Sequence, residues 1–283
     1  MRDVLLLTSR YANIGNELCV RGARAGLHGA QVVPVGMARR DGPLPWHVDT
    51  SNAGAVVVVA GVLHRNFDNV WKWVAEEGLP VVLWGVGACW ERCNGTHLPR
   101  ATFDKVRPFV HFAAWRDQLS QRVYDGGGEI ALGPEWWYIR DYMRLNYKGG
   151  GGALFVNHKN APFRIRMEDD DPRGRSMLNE HPKGTSPDPH LREYLTADRV
   201  VSSRLHGAMI AAALEVPFAV VPWDLKTVEF VRQWGAGTYV WTKEEALAFG
   251  LTERELPVAP VYTRNVTRDV RVVLAACGCL EEP

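Results

Sequence analysis

The chain lacks the features that mark membrane, nucleic-acid-binding and disulfide-rich secreted proteins. No apolar run approaches the ~20 residues needed to span a bilayer, and the start of the sequence has no signal-peptide pattern. The formal net charge of +1 leaves no global field to attract nucleic acid or an anionic membrane. The five cysteines fit no disulfide framework and lack the spacing of a zinc knuckle. We therefore expect a cytoplasmic protein with reduced thiols, no metal and no nucleic-acid partner.

No Gly-x-Gly-x-x-Gly motif follows the first predicted strand, where Asn13-Ile-Gly-Asn-Glu17 stands instead. A simple NAD-dependent oxidoreductase is therefore disfavoured, and we expect no cofactor. With 283 residues, 46% hydrophobic and 23% charged, the chain has the composition of an ordinary globular protein. Its length suits one large α/β unit or two smaller ones.

Short apolar runs, several of them β-branched, alternate with helical stretches along the chain. Unbroken runs of this kind are typical of strands buried on both faces of a parallel sheet. Strands are predicted at residues 4–8, 31–35, 55–60, 80–84, 109–114, 129–132, 153–156, 199–202, 218–221 and 239–241. Helices are predicted at residues 17–27, 66–77, 117–124, 189–195, 207–214, 226–233, 243–249 and 266–276. This alternation indicates an α/β fold with doubly wound sheets.

Four consecutive glycines at residues 149–152 interrupt this pattern. Such a run cannot hold the interior of a helix or strand cheaply, so it favours a flexible joint. We therefore predict two Rossmann-like halves, residues 1–147 and 152–283, with parallel sheets. They resemble a GT-B-like architecture, with the active site in the cleft between the halves.

Residues 200–219 predict a buried strand, a polar turn, an Ala-rich helix and the start of another strand. The turn carries Arg204 and His206, and the helix is predicted to begin at Gly207. A helix start presents unpaired N–H groups and the positive end of the dipole, which suits a phosphate or carboxylate. The next strand brings Asp224 and Lys226 to the same sheet edge. The alternative is a set of ordinary surface charges with a satisfied core histidine.

These residues also carry a resemblance to a family. Ser203-Arg-Leu-His-Gly207, followed by Trp223-Asp-Leu-Lys226, resembles the C-terminal signature of the polysaccharide pyruvyl transferases. Weaker matches lie upstream in the family's order: Asn13-Ile-Gly-Asn-Glu17, Trp84-Gly-Val-Gly87, and Trp115-Arg-Asp117 with Ser120. The chain departs from the family pattern at Asn16, where an Asp is usual, and near Glu135, where an Asp is common.

The resemblance implies a transferase that moves pyruvate from phosphoenolpyruvate onto a sugar of a cell-surface glycan, or of its precursor, as a ketal. The donor carries a phosphate and a carboxylate, so such an enzyme needs cationic subsites, an acid and a base. On the donor side we expect Arg204, the helix start at Gly207, Lys226 and Ser203 to bind substrate. His206 and Asp224 are the catalytic candidates there, since imidazole and carboxylate can both move protons near neutral pH.

The acceptor, a glycan or glycan-lipid, is expected on the first half. Asn13, Asn16 and Glu17 follow the first strand at the edge where open α/β sheets bind ligands. Glu17 is the candidate base, although an acid in a first helical turn is favourable without any function.

Three further substrate-binding candidates lie elsewhere in the chain. His158 and Lys159 follow the first strand of the second half, where the family often has an Arg. Arg116 follows the fifth strand, although an Arg-Asp neighbour pair such as Arg116–Asp117 is more often a solvated surface feature.

Two other functions fit the same pattern. A GT-B-type glycosyltransferase would use the same Arg and His for the diphosphate of a nucleotide sugar. A catalytically silent sugar-binding relative would fit Asn16 in place of an acid. The sequence does not indicate an oligomeric state.

Overall fold

The structure of the chain is a computed structural model. It describes residues 1–9, 13–37, 48–88, 97–124, 126–157, 174–178, 186, 188–221, 224–234 and 263–281. The predicted strand 239–241, the predicted helix 243–249 and two predicted site residues, His158 and Lys159, lie outside these ranges.

The first half contains a six-stranded parallel sheet in the order β2-β1-β3-β4-β5-β6. The strands are β1 (Asp3–Ser9), β2 (Val32–Met37), β3 (Ala53–Val59), β4 (Val81–Val86), β5 (Val110–Trp115) and β6 (Glu129–Ile130). Strands β3 and β4 are buried along their whole length. This agrees with the prediction from their unbroken apolar runs, because a central parallel strand is covered by helices on both faces.

Five helices accompany this sheet. They are α1 (Ile14–Gly26), α2 (Asp68–Glu77), α3 (Arg100–Val106), α4 (Gln118–Val123) and α5 (Pro134–Tyr138). Helix α5 continues into a π-helical turn at Ile139–Met143. The sequence did not predict α3 or α5, since seven and five residues are too few for a helical period to show.

The second half contains a four-stranded parallel sheet in the order β10-β9-β7-β8. Its strands are β7 (Ala153–Asn157), β8 (Arg175–Leu178), β9 (Arg199–Ser202) and β10 (Phe218–Val220). The later helices are α6 (Asp188–Thr196), α7 (Leu205–Leu214), α8 (Leu225–Trp234) and α9 (Thr267–Ala276). Helix α7 begins at Leu205, two residues before the predicted start at Gly207. His206 therefore lies in the first turn of the helix.

The glycine run forms hydrogen bonds with the segment before β9, and its role as a flexible joint stays a prediction. Gly149, Gly150 and Gly152 have φ values of 64°, 83° and 77°, which side chains disfavour. The Asp198 carboxylate accepts from the N–H groups of Gly150 and Gly152. The glycines therefore supply a backbone conformation that is held by hydrogen bonds to Asp198 and to carbonyl groups at the end of α6.

Helix α1 belongs to both hydrophobic cores of the molecule. Cys19 and Ala23 face the core of the first sheet, and Ile14 and Leu18 face the core around α7. Helix α9 also joins the first core, although it lies within the predicted second half, 152–283. No helix of the described residues is both long and apolar enough to cross a membrane.

Candidate active site where two helix starts meet

The N-terminal ends of α1 and α7 approach each other closely at Gly15 and His206. A Cβ atom placed on Gly15 would lie 2.0 Å from Cγ of the His206 ring. Only glycine at position 15 therefore leaves room for the imidazole. The two halves of the chain meet at this contact, and each contributes the positive end of a helix dipole to it.

The start of α1 is capped by its own side chain. Asn13 is extended at the N-cap, and its Oδ1 accepts from the N–H of Gly15 at 2.9 Å. This bond satisfies one of the N–H groups that a helix start leaves unpaired. Asn16 lies half-buried in the first turn. The structure therefore places both predicted asparagines at the contact between the helices.

The start of α7 is built differently, because Arg204 occupies the N-cap and its side chain makes no capping hydrogen bond. The Ser202 hydroxyl accepts from Arg204 N at 3.0 Å and donates to Arg204 O at 2.8 Å. A Cβ atom on Gly207 would lie 2.2 Å from this Ser202 Oγ. Gly207 is thus needed for packing against Ser202. The fully buried Ser203 hydroxyl donates to Val156 O at 3.4 Å.

His206 is surrounded by positive charge. Burial, together with the charges of Arg116, Lys226 and Arg204, lowers the pKa of the imidazole to about 3. The residue is half-buried, while its Nε2 atom is fully buried and has no hydrogen-bond partner among the described residues. The ring is therefore neutral at neutral pH, with a nitrogen lone pair available.

Arg116 and Asp117 are buried, so the surface interpretation of this pair was wrong. Arg116 Nη2 donates to Asp117 Oδ2 at 3.2 Å and to Ala88 O at 3.1 Å. The other carboxylate oxygen of Asp117 accepts from N and Oγ of Ser120, at 2.7 and 2.6 Å. A Cβ atom on Gly87 would lie 2.2 Å from Arg116 Nη2. Asp117 of the Arg-Asp-x-x-Ser element thus caps α4 and also holds the buried guanidinium of Arg116.

Asp224 and Lys226 form a second charge pair at the site. The Lys226 ammonium lies 2.7 Å from Asp224 Oδ2. The other oxygen, Asp224 Oδ1, accepts from N and Oγ1 of Thr227, at 3.0 and 2.9 Å. Because Asp224 is fully buried and uses both oxygens, its contacts favour orientation of Lys226 over proton transfer.

Glu135 is a site residue that sequence reasoning did not select. Burial raises the pKa of its carboxyl, which accepts a hydrogen bond from the Cys19 thiol. Donor atoms of Glu135, Cys19 and His206 all lie within 4.8 Å of one another. Burial also raises the pKa of Cys19 well above its ordinary value. A carboxyl with a raised pKa therefore lies next to a neutral imidazole.

Close backbone approaches bring Glu135 to this place. A Cβ atom on Gly22 would lie 2.3 Å from Pro134 O, and one on Gly85 would lie 2.1 Å from Gly133 Cα. Only the departure from the family pattern near Glu135 pointed to this region. The glycines by themselves give no signal of what they pack against.

Glu17 takes part in a charge network at the edge of the two helices. Its carboxylate lies 3.2 Å from Arg21 Nε, and Arg21 Nη1 lies 2.9 Å from Asp188 on α6. Among the described residues, no hydrogen bond or ion pair joins Glu17 to His206. Its role as a base stays a prediction.

A model of the polysaccharide pyruvyl transferase family matches residues 13–224 of the chain. The match covers more than half of the sequence, and the chain therefore belongs to this family, as its motifs indicated. Membership in the family supports a glycan-modifying transferase. Comparison with curated proteins gives no match.

Two solved structures are similar to the chain. UDP-GlcNAc 2-epimerase of Methanocaldococcus jannaschii, solved with UDP-GlcNAc and UDP, has a TM-score of 0.53 at 9% identity, over 97% of this chain and 99% of that chain. E. coli heptosyltransferase WaaC with ADP has a TM-score of 0.39 at 13% identity, over 77% and 86%. The first likeness shows the fold alone, and the predicted GT-B-like α/β architecture with two parallel sheets is confirmed.

Proposed function

We propose that the protein transfers pyruvate from phosphoenolpyruvate to a sugar of a glycan, or of a glycan precursor, and forms a ketal. The observation that carries the proposal is the neutral His206 at the start of α7, with the cations Arg116, Arg204 and Lys226 around it. Arg116 and Lys226 also pair with neighbouring carboxylates, so what suits a small, multiply charged anion is the set of cationic hydrogen-bond donors around the imidazole. Family membership supports the same chemistry.

The donor would bind at the start of α7. Phosphoenolpyruvate carries a phosphate and a carboxylate, and Arg204 and Lys226 are separate cationic side chains that can bind one each. The N-cap side chain of α7 makes no capping bond, so the helix start can add its dipole to the attraction. The buried Arg116 adds a fixed charge beneath the site.

The reaction needs one proton delivered to carbon and two removed from hydroxyl groups. One sugar hydroxyl adds to C2 of the donor while C3 takes up a proton, and phosphate then leaves. A second hydroxyl closes the ketal at C2. The products are the pyruvate ketal and inorganic phosphate, and the protons of the two hydroxyls balance those given to C3 and to phosphate.

Glu135 and His206 supply this proton transfer in the proposal. Burial raises the pKa of Glu135, which favours its carboxyl as the donor of a proton to C3. His206 is neutral and can accept a hydroxyl proton. Donor binding brings negative charge beside the imidazole, which raises its pKa and makes it a stronger base. Asp224 orients Lys226 through their ion pair of 2.7 Å.

The acceptor is proposed to bind at the start of α1, where Asn13 and Asn16 lie. Glu17 remains the predicted base on that side, competing with His206 for the role. His158 and Lys159 remain predicted donor ligands. A glycan or glycan-lipid is the proposed acceptor, in the cytoplasm, in exopolysaccharide or cell-wall glycan biosynthesis.

The test is phosphate release from phosphoenolpyruvate in the presence of a panel of sugars, with product mass as a second readout. The product should gain the mass of pyruvic acid less one water. His206→Gln should lower the rate about 10²–10⁴-fold, the usual worth of a positioned acid or base. Arg204→Ala should weaken phosphoenolpyruvate binding, measured by calorimetry, by about tenfold or more.

Arg232→Ala is the matched control, since Arg232 is an exposed arginine on α8 that pairs with Glu229. It should bind phosphoenolpyruvate like the wild type. Absence of binding by folded wild-type protein would reject the proposal. Binding of a nucleotide sugar in its place would favour a glycosyltransferase, and sugar binding without turnover would favour a silent relative.

A further inference from the structure

Three side chains on α1, α5 and α7 form a cluster with the chemistry of a zinc site. Cys19 on α1, Glu135 on α5 and His206 on α7 offer a thiol sulfur, a carboxylate oxygen and a ring nitrogen within 4.8 Å of one another. Thiolate, imidazole and carboxylate are the three protein ligands that zinc prefers. Each comes from a different helix, so the packing of the fold creates the cluster.

Two of these side chains have buried atoms with no hydrogen-bond partner among the described residues. They are Nε2 of His206 and Oε2 of Glu135. Glu135 is only 2% exposed, and a buried polar atom without a partner costs free energy. A bound cation would satisfy lone pairs that the protein itself leaves unsatisfied.

The distances require only a small adjustment. A tetrahedral site with bonds of about 2.0–2.3 Å places its ligand atoms roughly 3.3–3.8 Å apart. Separations of at most 4.8 Å therefore exceed this range by no more than about 1–1.5 Å.

The nearby cations oppose a metal ion less than their number suggests. Of the three that act on His206, Arg116 is paired with Asp117 at 3.2 Å and Lys226 with Asp224 at 2.7 Å. A divalent ion with a thiolate and a carboxylate is itself neutralised.

We propose that Cys19, Glu135 and His206 bind zinc, with one coordination position left open. The site goes beyond the proposed function and does not depend on it. Only one consequence rests on the proposed function: zinc occupies the proposed acid and base together, so it should inhibit pyruvyl transfer.

The experiment is a titration of the chelator-treated, full-length protein with Co²⁺, a spectroscopic substitute for zinc. One equivalent should give a near-ultraviolet thiolate-to-cobalt charge-transfer band, and Zn²⁺ should remove it. Cys19→Ala should abolish the band. Glu135→Gln and His206→Gln should each weaken binding about tenfold or more, the scale seen for loss of metal-site groups.

Cys277→Ala is the matched control, because Cys277 is a free cysteine away from the cleft, and it should keep the band. Cys19→Ser preserves side-chain size, and its thermal unfolding tests whether loss of the band reflects loss of fold. No band in the wild type, or a band that survives Cys19→Ala, overturns the zinc site.

Phosphate release assayed with and without Zn²⁺ separates the two proposals. If the protein gives the cobalt band but its turnover is insensitive to Zn²⁺, the predicted inhibition by zinc is wrong. No turnover by the metal-free protein rejects the pyruvyl transferase proposal, while the band still decides the metal site.

Discussion

The two helix starts that meet at Gly15 and His206 differ in whether a side chain satisfies their unpaired N–H groups. At α1, Asn13 caps the helix with its own side chain, and Glu17 places an acid in the first turn. At α7, Arg204 occupies the N-cap without a capping bond, and the first turn carries no acid. The first arrangement satisfies the helix internally, whereas the second leaves its positive end to an external anion.

Helices α1 and α7 are thus proposed to contribute differently to the site. Helix α1 provides space and position, since Gly15 admits the His206 ring and Asn13 fixes the first turn. In the proposed function, helix α7 provides the charge and the proton transfer, since Arg204 and His206 lie at its start. Three predictions test this division, in order of decreasing effect.

The largest effect is expected from Gly15→Ala. Its Cβ atom would lie 2.0 Å from the His206 ring and must displace it. Displacement of a reacting group by about 1 Å can cost on the order of 10²-fold in rate, and overpacking costs about 1–3 kcal/mol of stability. Phosphate release and urea unfolding measure the two effects.

Gly127→Ala is the control, since a Cβ atom there meets nothing within 4 Å. The double variant Gly15→Ala/His206→Ala should regain most of the lost stability, because the clash is removed. If the double variant is no more stable than Gly15→Ala, the clash is not with His206.

A smaller effect is expected from pH. Burial and the nearby cations lower the pKa of His206 to about 3 from the ordinary 6.5. Between these values the unfolded chain binds a proton that the native protein does not, so stability falls as pH decreases from about 6.5 to about 3. Unfolding measured across this window should show a shallower pH slope for His206→Gln than for wild type.

The exposed His111 supplies the comparison for this measurement. His111→Gln should leave the slope close to that of the wild type. An unchanged slope in His206→Gln would contradict the neutral state assigned to its imidazole.

The smallest effect is expected from Asn13→Ala. Loss of the cap to Gly15 N should cost about 1 kcal/mol of stability. Phosphoenolpyruvate binding should change little, because His206 and Arg204 keep their places at the start of α7. Thermal unfolding measures the loss, and Asn13→Ser should retain most of the stability because serine also caps. A large loss of phosphoenolpyruvate binding in Asn13→Ala would place the anion at α1 instead of α7.

The sequence by itself determined the two parallel sheets and the position of the family's C-terminal motif. Strand β3 is an unbroken apolar run, and Arg204 and His206 follow the short apolar strand β9 directly. Such features are local, because a strand that is buried on both faces and the turn that follows it are each encoded by adjacent residues. Strand β8 was missed for a local reason as well, since its residues are half-buried or exposed.

Only the tertiary structure decided what surrounds His206. Arg116 is buried because Gly87 and Ala88 lie against its guanidinium, and no neighbour in sequence signals that contact. Glu135 reaches His206 because α5 packs closely on α1 at Gly22. The pKa values of Glu135 and His206 depend on burial and on charges brought from distant parts of the chain. Those quantities exist only once the helices have packed.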